Sequence, residues 1–175
     1  MTLTADLNSE PVEQALRTFQ DSLADQSPTL TEIADDFRAM IAEQFASEGR
    51  AGGTPWAALA PSTVRRRRSG TLLNVTGALL SSLRDVGAAG HVEEADGQTL
   101  TLGSRLPYAM YHQTGTGVGF GQTYMPVRVK GQRGMPMRPL IVLTPDRVER
   151  WTELVQQALE KKTLLLGPKQ LGGSL

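Results

Sequence analysis

HVEEADGQTLTLGS, residues 91–104, is where the chain changes period. Before it, apolar residues recur every three or four positions, as on a helix. Within it they alternate, and Asp96-Gly97 sits midway, a dipeptide that accepts the positive φ of a tight turn. The stretch therefore reads as two antiparallel strands, and it makes the chain an α+β protein rather than a helical bundle. Tyr108–Gln113 and Pro139–Thr144 are expected to add strands to this small, mainly antiparallel sheet.

Upstream, residues 30–46 carry Leu30, Ile33, Ala34, Phe37, Met40, Ile41 and Phe45 at helical spacing, and Thr29 with Glu32 forms a capping box. Residues 9–24 place Val12, Ala15, Leu16, Phe19 and Leu23 on a second helical stripe, with Asn8 or Ser9 as its cap. Between Ser47 and Ala60 the composition turns to glycine, proline and small residues, which reads as an ordered loop pinned by Trp56. Pro61 suits the first turn of a short helix running into the arginines, and Leu79, Leu80 and Leu83 share a face of another over 77–84.

Downstream, residues 116–134 are glycine-rich around a short alternating segment, Tyr124–Val129, and read as an extended arm or long hairpin loop. Thr144 caps a last helix with Pro145 at its first position, and Val148, Trp151, Leu154, Val155, Ala158 and Leu159 form the stripe expected to pack on the sheet. Residues 1–166 are thus expected to form one domain, and 167–175 a flexible tail.

Composition narrows the function classes. At 175 residues the chain has the size of one ordinary domain. Lysine plus arginine and aspartate plus glutamate each number 18, so no global field draws it to nucleic acid or an anionic membrane. The absence of cysteine excludes disulfides, thiolate nucleophiles and cysteine-ligated zinc. No signal peptide and no membrane span are expected, because no apolar run approaches 18 residues.

Catalytic and binding motifs are equally sparse. Glycines 115, 117, 119 and 121 suggest a nucleotide loop, but Phe120 breaks the fingerprint and the segment leads into strand-like residues rather than a helix. His91 and His112 lack metal-ligand spacing. Glu93 and Glu94 point to opposite faces of a strand. Serines 81 and 82 lie in a leucine-rich helix without an elbow motif, and Glu48 reads as an acceptor for backbone amides rather than a general base. The expectation is a protein without catalytic activity, cofactor, metal or small-molecule substrate.

Four adjacent arginines, Arg65, Arg66, Arg67 and Arg68, are the one concentrated charge. On a helix they spread about 100° apart and cannot all face one groove. They read as a solvated face, as a seam to an acidic neighbour, or as a contact with passing DNA. The rival reading from another class makes the chain a small DNA-binding module built on this run.

Taken in order, several short motifs carry more than any one of them. A helix ends in Phe45, and SEG follows at 47–49 (with Gly49), then Gly52 or Gly53, Trp56, Leu59 and Thr63. Next come Leu73, Thr76-Gly77 and Leu79–Leu83, then YAxxHQxG over 108–115 (Tyr108, His112, Gly115) and MPxRPL over 135–140 (Pro136, Arg138, Pro139). Over residues 30–160 this order resembles the phage virion morphogenesis family, the Mu-like tail completion group, and is distantly similar to other head-tail joining proteins.

The resemblance implies a non-enzymatic structural protein acting late in assembly, in the host cytoplasm and then in the virion. Its place would be the tail end or the head-tail junction, in a sixfold ring at the neck contacting connector or tail-tube proteins. A tail terminator or a portal-side connector is the structural alternative. Arg65–Arg68, Tyr124, Arg128, Lys130, Arg133 and Arg138 are the interface or lumen candidates. As framework, Gly77 and Gly115 would permit tight turns and Trp56 would clamp its loop, while Pro136 and Pro139 would hold an extended segment with Arg138 presented beside it. The arm and the arginine run are both longer than the family pattern implies.

Overall fold

A computed structural model describes residues 10–66, 72–116 and 135–165. The 167–175 tail, Arg67, Arg68 and all but the first residue of the 116–134 arm, with Tyr124, Arg128, Lys130 and Arg133, lie outside the described residues.

Helix α1 spans Glu10–Ala24 and α2 spans Ser27–Ala46. Helix α2 starts earlier than the capping box predicts: the Asp25 carboxylate accepts the Ser27 N–H at 3.0 Å, Pro28 occupies the first turn, and Thr29 is buried inside the helix rather than capping it. The reason is that proline in the first turn forfeits no hydrogen bond and pre-sets the helical φ. Phe37, Met40, Ile41 and Phe45 then face inward as their spacing requires and form the centre of the core with Leu79, Leu83, Ala109 and Leu140.

The short helices α3 (Pro61–Arg66) and α4 (Ala78–Arg84) fall where expected, and Gly77 begins α4 at φ 77°. Strands β1 (His91–Ala95) and β2 (Leu100–Ser104) pair antiparallel, with Glu93 opposite Leu102. The turn is closed by the Asp96 carboxylate, which accepts the Gln98 and Thr99 N–H groups at 3.1 and 2.7 Å while Gly97 takes φ 90°. One hairpin face lies on α2 and α4: Arg38 pairs with Glu93, His91 Nδ1 is 3.1 Å from the Ser82 carbonyl, and the Ser82 and Ser104 hydroxyls meet at 2.8 Å.

Two expected strands are absent. Residues 109–114 form helix α5 (Ala109–Thr114), which buries Ala109 against the core, and Pro139–Thr144 is irregular. Among the described residues the sheet therefore has two strands. The final helix α6 (Pro145–Leu165) starts at the predicted proline, and the Thr144 carbonyl accepts the Arg147 and Val148 N–H groups. Its main packing partners are α1 and α2 rather than the sheet. Asp36 of α2 makes that joint by accepting Arg147 Nη1 and Trp151 Nε1, both at 2.7 Å, with Arg150 at 3.4 Å. Burial raises the Asp36 pKa, but the Trp151 and Arg147 hydrogen bonds and the adjacent guanidinium charges outweigh it and hold the carboxyl below the usual aspartate value.

Candidate functional site

The motif residues converge on a clasp that closes the loop after α2 over the segment leading into α6. Trp56 is buried edge-on against Phe45, with ring centroids 5.2 Å apart and planes at 90°. Its indole Nε1 donates to the Pro139 carbonyl at 2.8 Å, and the same carbonyl accepts Gln44 Nε2 at 2.9 Å. Gln44 Oε1 in turn accepts the Gly52 N–H at 2.8 Å, so one buried amide ties α2 to both segments of the clasp.

Glycine is required at two points here. Gly49 sits at φ 93°, and a Cβ there would lie 2.5 Å from Trp56 Cδ1. Gly115, at φ 70°, would place a Cβ 2.9 Å from the Met137 nitrogen. Glu48, itself in the left-handed region at φ 51°, accepts the Leu72 N–H at 3.1 Å, the acceptor role its loop position suggests.

Arg138 corrects the expectation of a presented cation. The residue is 4% exposed, and its guanidinium donates to the Ala57 and Ala58 carbonyls at 2.8 and 3.2 Å, bracing the tryptophan loop from beneath. Five donors in a fixed fork let one arginine saturate a bend of backbone that no ladder serves. Gln113 does comparable work: Oε1 accepts the Leu140 and Ile141 N–H groups at 2.7 and 3.0 Å, and Nε2 donates to the Ile141 carbonyl at 2.9 Å. A side-chain amide thus replaces the strand neighbour that Pro139–Thr144 lacks.

Above the clasp opens a cleft of about 590 Å³ between Ala58–Ala60 with Thr63 of α3, residues 73–79 and the start of α5. Leu59, Val75, Tyr108, Met135 and Pro136 give it apolar walls, and Leu73 adopts φ 60° at its edge. His112 lines it with a buried Nδ1 that has no hydrogen-bond partner. Burial, and then the Arg138 charge, push its pKa below the ordinary histidine value, so the ring is neutral at pH 7.

The structure thus brings Phe45, Gly49, Trp56, Gly115, Pro139 and Arg138 together, with Tyr108, His112 and Pro136 along the cleft. Arg65 and Arg66 stand exposed on α3, and Gly77 serves α4 alone. Gln44 and Gln113 escaped the sequence reading. The signal for Gln44 was a polar residue three after Ile41 and seven after Phe37, on the apolar stripe itself; for Gln113 it was its place inside YAxxHQxG. Among the described residues no group of three or more histidine, aspartate or glutamate side chains is arranged to hold a metal, and no helix is long and apolar enough to cross a membrane.

No curated protein and no solved structure matches this chain. A family model does: the phage virion morphogenesis family matches residues 7–160, which takes in the clasp, the cleft and most of α6, and the chain belongs to that family, whose role is in assembling the phage virion.

Proposed function

We propose that the protein completes the phage tail and joins it to the filled head, as a subunit of a ring at the neck, without catalytic activity. Membership of a virion morphogenesis family supports the class. The observation that carries the finer reading is where the motif residues go: Trp56, Arg138, Gly49 and Gly115 are spent on a buried clasp that offers no reactive constellation. The same clasp fixes the two described residues that flank 117–134, the Thr116 N–H donating to the Met135 carbonyl at 2.9 Å. Subunits that interlock on a template have use for such an arrangement.

A nonsense mutation in the gene, followed by electron microscopy of lysates, tests this. DNA-filled heads beside unattached tails of normal length are expected. Tails of irregular length would identify a terminator instead, and normal particles would overturn the neck assignment. Exposed Arg65 and Arg66, with Arg67 and Arg68 next in sequence, keep DNA contact as the second reading. An alanine set across the run separates the two: particles should still assemble, whereas a DNA-binding module would lose its sole activity.

A further inference from the structure

The chain is neutral as a whole but unevenly charged. Of its 18 acidic residues, 17 lie in 10–66, 72–116 and 135–165, which hold only 12 of the 18 basic ones, a formal charge of −5 with histidine neutral. The two internal stretches between them, 67–71 and 117–134, contain Arg67, Arg68, Arg128, Lys130 and Arg133 and no acid.

Part of the body's acidity is aligned along α6. Asp146, Glu149, Glu153 and Glu160 are exposed, and their i, i+3, i+7, i+14 spacing confines them to a sector about 60° wide. That sector faces away from Trp151, Leu154 and Ala158, which turn toward the body. None of the four acids forms an ion pair with a described residue. Of the neighbouring cations, Arg150 reaches Asp36 and Lys162 donates to the Asp25 carbonyl, while Lys161 stands exposed beside Glu160 at the C-terminal end of the stripe. The result is an unpartnered acidic stripe about 21 Å long.

We propose that this face of α6 receives residues 117–134 of a second copy of the chain, paired through Arg128, Lys130 and Arg133. The inference rests on the ring reading and names the contact that would build it. Charge complementarity selects the occupant, because a segment with three cations and no acid meets a face with four anions. Length agrees. The Thr116 N–H donates to the Met135 carbonyl at 2.9 Å, so both ends of the 117–134 segment leave from one point. An 18-residue loop from a single exit reaches at most about 30 Å, more than the stripe requires. Arg128 and Arg133 can stand up to about 17 Å apart, against about 16 Å between Glu149 and Glu160. The same acidic face repels nucleic acid, so duplex DNA is not its partner. Such a contact joins two different surfaces, and a head-to-tail contact of that kind closes into a ring when the rotation permits.

Sedimentation of the full-length chain at low and high salt tests the inference, with circular dichroism checking that each variant is folded. The expectation is self-association that weakens as salt screens it. The variant Glu149→Lys/Glu153→Lys, and separately Arg128→Glu/Lys130→Glu, should each weaken association by about tenfold or more. Mixing the two variants sets each arm against a stripe of opposite charge again, and should restore association through heterodimers and larger species. Association unchanged in the α6 variant would overturn the proposal and leave the ring reading standing. A mixture without heterodimers, or arm variants that lose only binding to added duplex DNA, would also overturn it. A wild-type chain monomeric under every condition would remove both this contact and the support for a self-assembling ring.

Discussion

At the scale of the residue, the clasp turns on positions that tolerate little change. Gly49→Ala meets a strained φ and a 2.5 Å approach to the Trp56 ring together, and should destabilise the fold by about 2–4 kcal/mol in denaturant titration. Trp56→Phe keeps the edge-to-face contact with Phe45 but leaves the Pro139 carbonyl with one donor, and should cost about 1 kcal/mol; Trp56→Ala should cost about 3–5. His112 carries a pH signature. Its folded pKa lies below the usual 6.5, so the unfolded chain binds the extra proton first. Its contribution to stability is therefore complete above pH 6.5 and is lost as pH falls toward the folded pKa. His112→Phe should remove that slope from melting temperatures measured between pH 7.5 and 5 in steps of about half a unit.

At the scale of the element, the joint between α2 and α6 depends on one carboxylate. Asp36 accepts from Arg147 and Trp151, and its folded pKa is depressed. The sign is the usual one for an acid: this stability is present above the unfolded value near 3.8 and is lost as pH falls through the folded value. Asp36→Asn should cost about 1–3 kcal/mol at pH 7 and flatten acid unfolding, read by tryptophan fluorescence of Trp151. Sequence reading located α1, α2, α3, α4, α6 and the hairpin because periodicity, proline and Asp-Gly are local signals. It failed at 108–113 and 139–144. Tyr108–Gln113 alternates weakly enough to suit a strand, yet burying Ala109 and freeing Gln113 to serve the next segment favours a helical turn. Pro139–Thr144 has strand-like composition, but its partner is a side chain rather than another strand, and a side-chain partner leaves no periodic trace.

At the scale of the whole molecule, a body of charge −5 is joined to connecting segments that carry the compensating cations. Deleting 117–133 should leave that body folded, because the clasp closes without the segment, and should abolish incorporation into particles. Near-ultraviolet circular dichroism and infectivity in complementation measure the two outcomes. Unchanged infectivity would remove the arm from the assembly contact. Of the basic run at 65–68, Arg65 and Arg66 stand exposed at the end of α3.

The sequence alone determined the class of the fold, the position of its helices and hairpin, and the family, because each rests on local pattern or on the order of short motifs. Only tertiary structure decided what the motif residues do. Arg138 looked like a presented cation until the carbonyls of residues 57 and 58, some eighty positions away, proved to be its partners. Gln44, Trp56 and the Pro139 carbonyl likewise meet across more than eighty residues. Hydrogen bonds of that range depend on where the chain returns, and burial then makes each of them obligatory, since an unpaired polar group in the core would cost more than the bond itself contributes.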